Sequence, residues 1–210
     1  MLGKKVVLVG YSGHGYVIAE TAFENDIEIV GYSEKEIQDS NPFNIEYLGF
    51  EGDENFIGWN KEYSFIIGVG NNILRQKIAN LITSKGKSIE SIIHKSASIS
   101  KSAKIGTGVF VNKNVAVNSF AIIGKNSILN TGCIVEHECI LHDSVHIAPG
   151  AVLAGNVRVG ERSFVGANAV IKQGIIVGKD VIIGSGAVVI NDILDNEVWV
   201  GNPAKKIIYL

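Results

Sequence analysis

The sequence predicts two joined folds: a small Rossmann-like α/β domain over residues 1–90, then a left-handed parallel β-helix of hexapeptide repeats over residues 91–210, with a C-terminal tail. Three observations predict them. An aliphatic residue recurs at every sixth position of the second half, a column of small or β-branched residues follows it four places later, and strand, glycine turn and helix alternate through the first half. Composition agrees: 46% hydrophobic and 19% charged residues, with 24 Gly against 3 Pro, describe an ordered chain rich in tight turns and long enough to bury a core.

In the first half, residues 4–10 (KKVVLVG) read as a buried strand. The turn Gly10-Tyr11-Ser12-Gly13-His14-Gly15 follows, then a helix from Tyr16 to Glu24. A second strand, Glu28 to Tyr32, comes at βαβ spacing. A third, Ser64 to Val69, leads into Gly70-Asn71-Asn72 and a helix from about Ile73 to Ser84. The glycines form G-x-x-G-x-G, not the dinucleotide pattern G-x-G-x-x-G, and Ser33 and Glu34 stand where an Asp would end the second strand, so NAD is a poor fit. Backbone N–H groups at a helix N-terminus still suit a phosphate or pyrophosphate, although a tight strand-helix connection explains the same turn. Residues 34–62 carry no pattern that places them.

In the second half, Ile93, Ile99, Ile105, Val111, Val117 and every sixth residue to Val189 are aliphatic. Neither period 2 nor period 3.6 gives this spacing. A triangular coil with three short strands per 18 residues does, and the 16 hexads from Ile93 to Val188 make a little over five such coils. Residues just after the aliphatic are often Gly or Asn, such as Gly106, Asn112, Asn130 and Gly166, which suggests corners at positive φ. Cys133 and Cys139 fall in the small-residue column and read as buried hydrophobes. Flat prism faces imply a homotrimer.

A formal net charge of −2 and the lack of a basic block argue against nucleic acid or an anionic membrane as partner. The opening MLGKKVVLVG has an apolar run too short for a signal segment or a membrane span, so a cytoplasmic location is expected.

Three of the five histidines fall in one stretch, Glu136-His137-Glu138-Cys139-Ile140-Leu141-His142-Asp143-Ser144-Val145-His146, and none occupies an inward column. All three are expected to point outwards or towards a neighbouring chain. A carboxylate bonded to one ring nitrogen fixes the tautomer and raises basicity, which suits a general base; a solvated surface explains isolated histidines equally well.

The combination of VGYSGHG, VGNNILR, ILNTGCIVEHEC, VHIAPGA and VGNPAKK resembles the PglD and NeuD-like sugar acyltransferases of bacterial glycan biosynthesis, over essentially the whole chain. The resemblance implies a trimer with active sites between subunits, acetyl-CoA along the prism, no metal, and a nucleotide-linked amino sugar, such as a UDP-4-amino-4,6-dideoxy sugar, held by the first domain. It implies His137 as general base with Glu138 as its supporting carboxylate. His146, Gly155, Ala167 and Ser185 would contact acetyl-CoA, the Gly155 N–H serving as oxyanion donor. Asn130 would face the acceptor sugar, and Ser12, Gly13, His14, Ser33, Glu34 and Gly70 would contact the nucleotide-sugar. The family usually has two acidic residues after the second strand where Ser33 and Glu34 stand here, which leaves the nucleotide open.

Three other readings compete: O-acetylation of a sialic-acid-like hydroxyl, a non-catalytic nucleotide-sugar-binding trimer, and a zinc enzyme of the γ-carbonic-anhydrase kind. The last would use His137 and His142, but its third ligand would fall on Lys101, whose ammonium cannot replace imidazole.

Overall fold

A computed structural model describes residues 5–207, which fold as two compact units dividing between Lys95 and Ser96. In the first unit, strands β1 (Lys5–Val9), β2 (Glu28–Ser33) and β3 (Ser64–Ile67) form a parallel sheet in the order β2-β1-β3. Helix α1 (Gly13–Glu24) joins β1 to β2, and α2 (Asn72–Ser84) follows β3. The chain therefore leaves β1 to one side for β2 and returns to the other for β3. That reversal opens a crevice at the carboxyl ends of the strands.

The core of this unit sets Val7, Val9, Phe65 and Ile67 of the sheet against Ile78, Ala79 and Ile82 of α2. Those helix positions recur at i, i+1 and i+4, one apolar stripe facing inwards. Helix α1 starts at Gly13, three residues before the expected Tyr16, because the second half of the glycine turn is already helical. The segment with no sequence pattern runs back along β2: Tyr32 N–H donates to Glu46 O (2.8 Å) and Leu48 N–H to Tyr32 O (2.9 Å). A 3₁₀ turn, Ile57–Asn60, then brings Trp59 onto the core beside Phe56 and Phe65.

The loops after β1 and β3 touch backbone to backbone. Gly68 N–H donates to Val9 O (2.7 Å), and a Cβ on either Gly15 or Gly68 would strike the Gly10 carbonyl. Both positions need glycine for closeness of approach.

The second unit is the β-helix. Two-residue strands pair in parallel with strands 18 residues on, as Ile128–Leu129 with His146–Ile147 and His146–Ile147 with Phe164–Val165. The second residue of each strand points inwards: Val111, Val117, Ile123, Leu129, Val135, Leu141, Ile147 and Leu153 are almost wholly buried. Cys133 and Cys139 are buried too, and burial pushes the Cys133 thiol up to about 12.

The corners differ from the expectation. Left-handed φ falls three places after each aliphatic residue, not one, at Gly108, Asn114, Phe120, Asn126, Gly132, Glu138 and so on every sixth residue to Gly186. The glycines directly after the aliphatics have another cause. A Cβ on Gly106, Gly124, Gly160 or Gly166 would run into the backbone of the next coil, 18 residues on, so these positions are small because coils stack closely. The last coil is two residues short, with Val198 opposite Ile182. Val198–Val200 then pairs antiparallel with Lys205–Lys206, and these exposed lysines blunt the sheet edge. Among the described residues no helix is long and apolar enough to cross a membrane.

Candidate active site

Each unit carries part of the chemistry the sequence singles out. On the β-helix, Glu136, His137 and Glu138 form one corner. Asn118 Nδ2 donates to Glu136 Oε1 (3.0 Å), and the His137 N–H reaches Glu136 Oε2 (3.4 Å), fixing the backbone. Glu138 takes the left-handed conformation (φ 61°) with a full side chain, an uncommon state for this residue type. That turn folds its carboxylate back on the preceding imidazole, and His137 Nδ1 lies 3.1 Å from Glu138 Oε2. A carboxylate accepts, so in the neutral imidazole this contact places the proton on Nδ1 and the lone pair on Nε2.

Gly155 lies one coil on, against the other side of the ring. A Cβ there would stand 2.5 Å from His137 Nε2 and closer still to Cε1. Among the described residues the Gly155 N–H donates to no protein acceptor. The structure thus sets Gly155, whose amide is uncommitted, directly against the His137 ring. His137 is half exposed, open to an incoming substrate.

His146 takes an outward position without being exposed. Its strand position faces away from the prism core, yet it is only 9% exposed, because Phe164 packs edge to face against the ring at 5.1 Å in the next coil. Asn130 lies on its other side, with Nδ2 3.4 Å from His146 Nε2. The Asn130 Oδ1 already accepts from the Thr131 N–H (2.8 Å) and from Asn112 Nδ2 (3.0 Å), which fixes the amide so that Nδ2 donates to the ring. Asn130 and His146 are therefore neighbours. Ala167 and Ser185 run down an adjacent edge of the prism, one above the other and one hexad out of step with His137 and Gly155. His142 is exposed on a third edge, and among the described residues no cluster of three or more His, Cys, Asp or Glu could hold a metal ion.

In the first unit, Ser12 precedes α1 without a side-chain cap, beside the exposed Gly13. His14 lies in that turn, its pKa lowered to about 4 by burial and, secondarily, by the Arg75 cation. Arg75 is 1% exposed and donates to Val69 O (3.2 Å), Gly70 O (2.9 Å) and Asn72 Oδ1 (2.8 Å), so one buried guanidinium ties Gly70 to the start of α2. Sequence reasoning missed it, although its spacing from Ile78, Ala79 and Ile82 places it on the buried stripe of α2. Ser33 is fully buried at the end of β2, and Glu34 Oε1 accepts the Tyr11 N–H (2.8 Å). Both line a cavity in the crevice together with Glu51, a residue with no sequence signal.

Comparison with known proteins follows this division. Residues 5–82 match the PglD N-terminal domain family, and residues 138–173 and 156–191 match the bacterial transferase hexapeptide family of six repeats. PerB from Caulobacter crescentus, solved in complex with CoA and GDP-perosamine, is 33% identical over 98% of each chain, with a TM-score of 0.90. The acetyltransferase domain of PglB from Neisseria gonorrhoeae, solved in complex with acetyl coenzyme A, is 33% identical over 98% of this chain and 100% of that one, with a TM-score of 0.91. WeeI from Acinetobacter baumannii, at 24% identity and a TM-score of 0.88, shares the fold.

Proposed function

The chain belongs to the PglD-like sugar acetyltransferases, and from that premise we propose that it transfers the acetyl group of acetyl-CoA to the amine of a nucleotide-linked amino-deoxy sugar. The observation that carries this reading is the corner where Glu138 holds His137 with Nε2 free, beside the uncommitted Gly155 N–H. A base and an oxyanion donor are the two groups that direct acyl transfer requires.

The amine nitrogen attacks the thioester carbonyl carbon while His137 Nε2 takes its proton. Glu138 stabilises the resulting imidazolium. The Gly155 N–H receives the developing oxyanion, the C–S bond breaks, and the proton passes from His137 to the departing sulfur, releasing CoA and the amide. No acyl-enzyme forms.

His146, Ala167 and Ser185 hold acetyl-CoA, Asn130 contacts the acceptor sugar, and Ser12, Gly13, His14, Ser33, Glu34 and Gly70 hold the nucleotide portion. His137 and the Ala167–Ser185 pair lie on different edges of one prism. A homotrimer that sets the first edge of one copy against the second edge of another completes the site. Beyond Ser98 in its first strand, the outward residues of the face between those edges, Ala116, Ile134, Val152, Val170 and Val188, are apolar, which suits a subunit contact.

The test is thiol release from acetyl-CoA with a panel of nucleotide-linked amino sugars. His137→Ala is expected to lower kcat by about 10²–10⁴-fold with the assembly intact. Wild-type turnover in that variant would remove His137 from the mechanism.

A further inference from the structure

Ser33 holds residue 51 by two bonds: its hydroxyl donates to Glu51 Oε2 (2.6 Å) and accepts the Glu51 N–H (2.8 Å). The Glu51 side chain is almost fully buried, yet that hydroxyl is the carboxylate's one hydrogen bond among the described residues. A carboxylate offers about four acceptor positions, and burying it with one filled is costly. The surroundings explain the cost. Glu51, Ser33 and Glu34 line the cavity at the carboxyl ends of β1 and β2, whose apolar walls include Val9, Phe50 and Leu74. At about 130 Å³ it is smaller than the ~300–1,000 Å³ that encloses a whole ligand, a size suited to one planar ring system.

We propose that this cavity takes the nucleobase and that the Glu51 carboxylate selects guanine. The inference rests on the nucleotide-sugar reading above. Guanine alone among the common bases presents two adjacent donors, N1–H and N2–H, on one edge, a match for the two oxygens of one carboxylate. Uracil and thymine offer a single N3–H between two carbonyl oxygens that repel the anion. Adenine and cytosine set their amino donor beside an acceptor nitrogen. Lys35, also at the cavity, supplies a cation for the guanine 6-oxo group. Glu34 plays a different part. Bonded to the Tyr11 N–H beside the first glycine turn, it stands where dinucleotide-binding folds place the ribose acid.

Calorimetric titration of the full-length protein with GDP, UDP and dTDP tests this. GDP is expected to bind about tenfold tighter than either pyrimidine nucleotide, or better. In Glu51→Gln the amide offers one acceptor and one donor, which complements N3–H and O4 of uracil and opposes one guanine donor. GDP affinity should therefore fall about tenfold while UDP affinity holds or rises. Equal binding of GDP and UDP by the wild type overturns guanine selection and leaves the nucleotide-sugar reading standing. Equal weakening of all three nucleotides in the variant assigns Glu51 to the ribose or to the fold, and also overturns it. Failure of all three to bind overturns both readings. The wild-type ranking decides alone if thermal melting shows that the variant does not fold.

Discussion

Gly155→Ala is expected to disable the enzyme without destabilising it. The residue does not occupy a left-handed φ, so alanine is compatible with the backbone, and the neighbour that must yield is the half-exposed His137 ring. The new methyl would stand 2.5 Å from Nε2, whereas carbon contacts settle at about 3.5–4.0 Å, so the imidazole retreats by roughly 1 Å. It retreats towards solvent, which costs the fold about 0.5 kcal/mol or less. The same displacement moves the base off the line of proton transfer and loosens its bond to Glu138. A misplacement of about 1 Å in a reacting geometry costs about 10²-fold in rate, or about 2.7 kcal/mol of transition-state stabilisation. The assay is kcat by thiol release, beside the melting temperature of both proteins. Wild-type kcat in the variant would refute the contact between Gly155 and the working position of His137. A fall of many degrees in melting temperature would refute the claim that the glycine serves chemistry and not folding.

Two further outcomes follow from burial. His14 is held neutral with a pKa of about 4 against an ordinary 6.5, so between those values the unfolded chain binds more protons than the folded one. Stability should fall as pH drops through that window, and His14→Gln should flatten the decline; parallel melting curves for the two proteins would exclude the effect. Leu129 is wholly enclosed between Val111 and Ile147 in the same ladder, and Leu129→Ala should cost about 2–5 kcal/mol in urea unfolding. A loss under about 1 kcal/mol would mean that the coils close over the missing methyls.

The β-helix was legible because its period is short and unbroken, and the contact between His137 and Gly155 is already implicit in their separation of one coil. The corner conformation was not legible. Left-handed φ at Phe120, Glu138, Ser144 and Arg162 is imposed by closure of the coil on residues that do not favour it, so residue type carries no signal there. Pattern places His146 outside the prism core, but it does not show that Phe164, in the next coil, covers the ring. In the first unit the strands and helices declared themselves through apolar runs and glycines. Glu51 did not, since its role depends on a long irregular segment returning to the end of β2, a tertiary event with no local periodicity.

The stacking of corners by multiples of 18 constrains how this chain can change in length. One extra hexad inserted between His137 and Gly155 would leave every aliphatic residue facing inwards and every strand with a partner, so the prism would still form. It would also carry Gly155, the proposed oxyanion donor, a third of a turn around the axis, away from His137. On the proposed mechanism, gain or loss of single hexads in that interval spares folding and abolishes transfer, and the two residues can stay on one edge only if they separate by whole coils, each of which adds a further strand spacing.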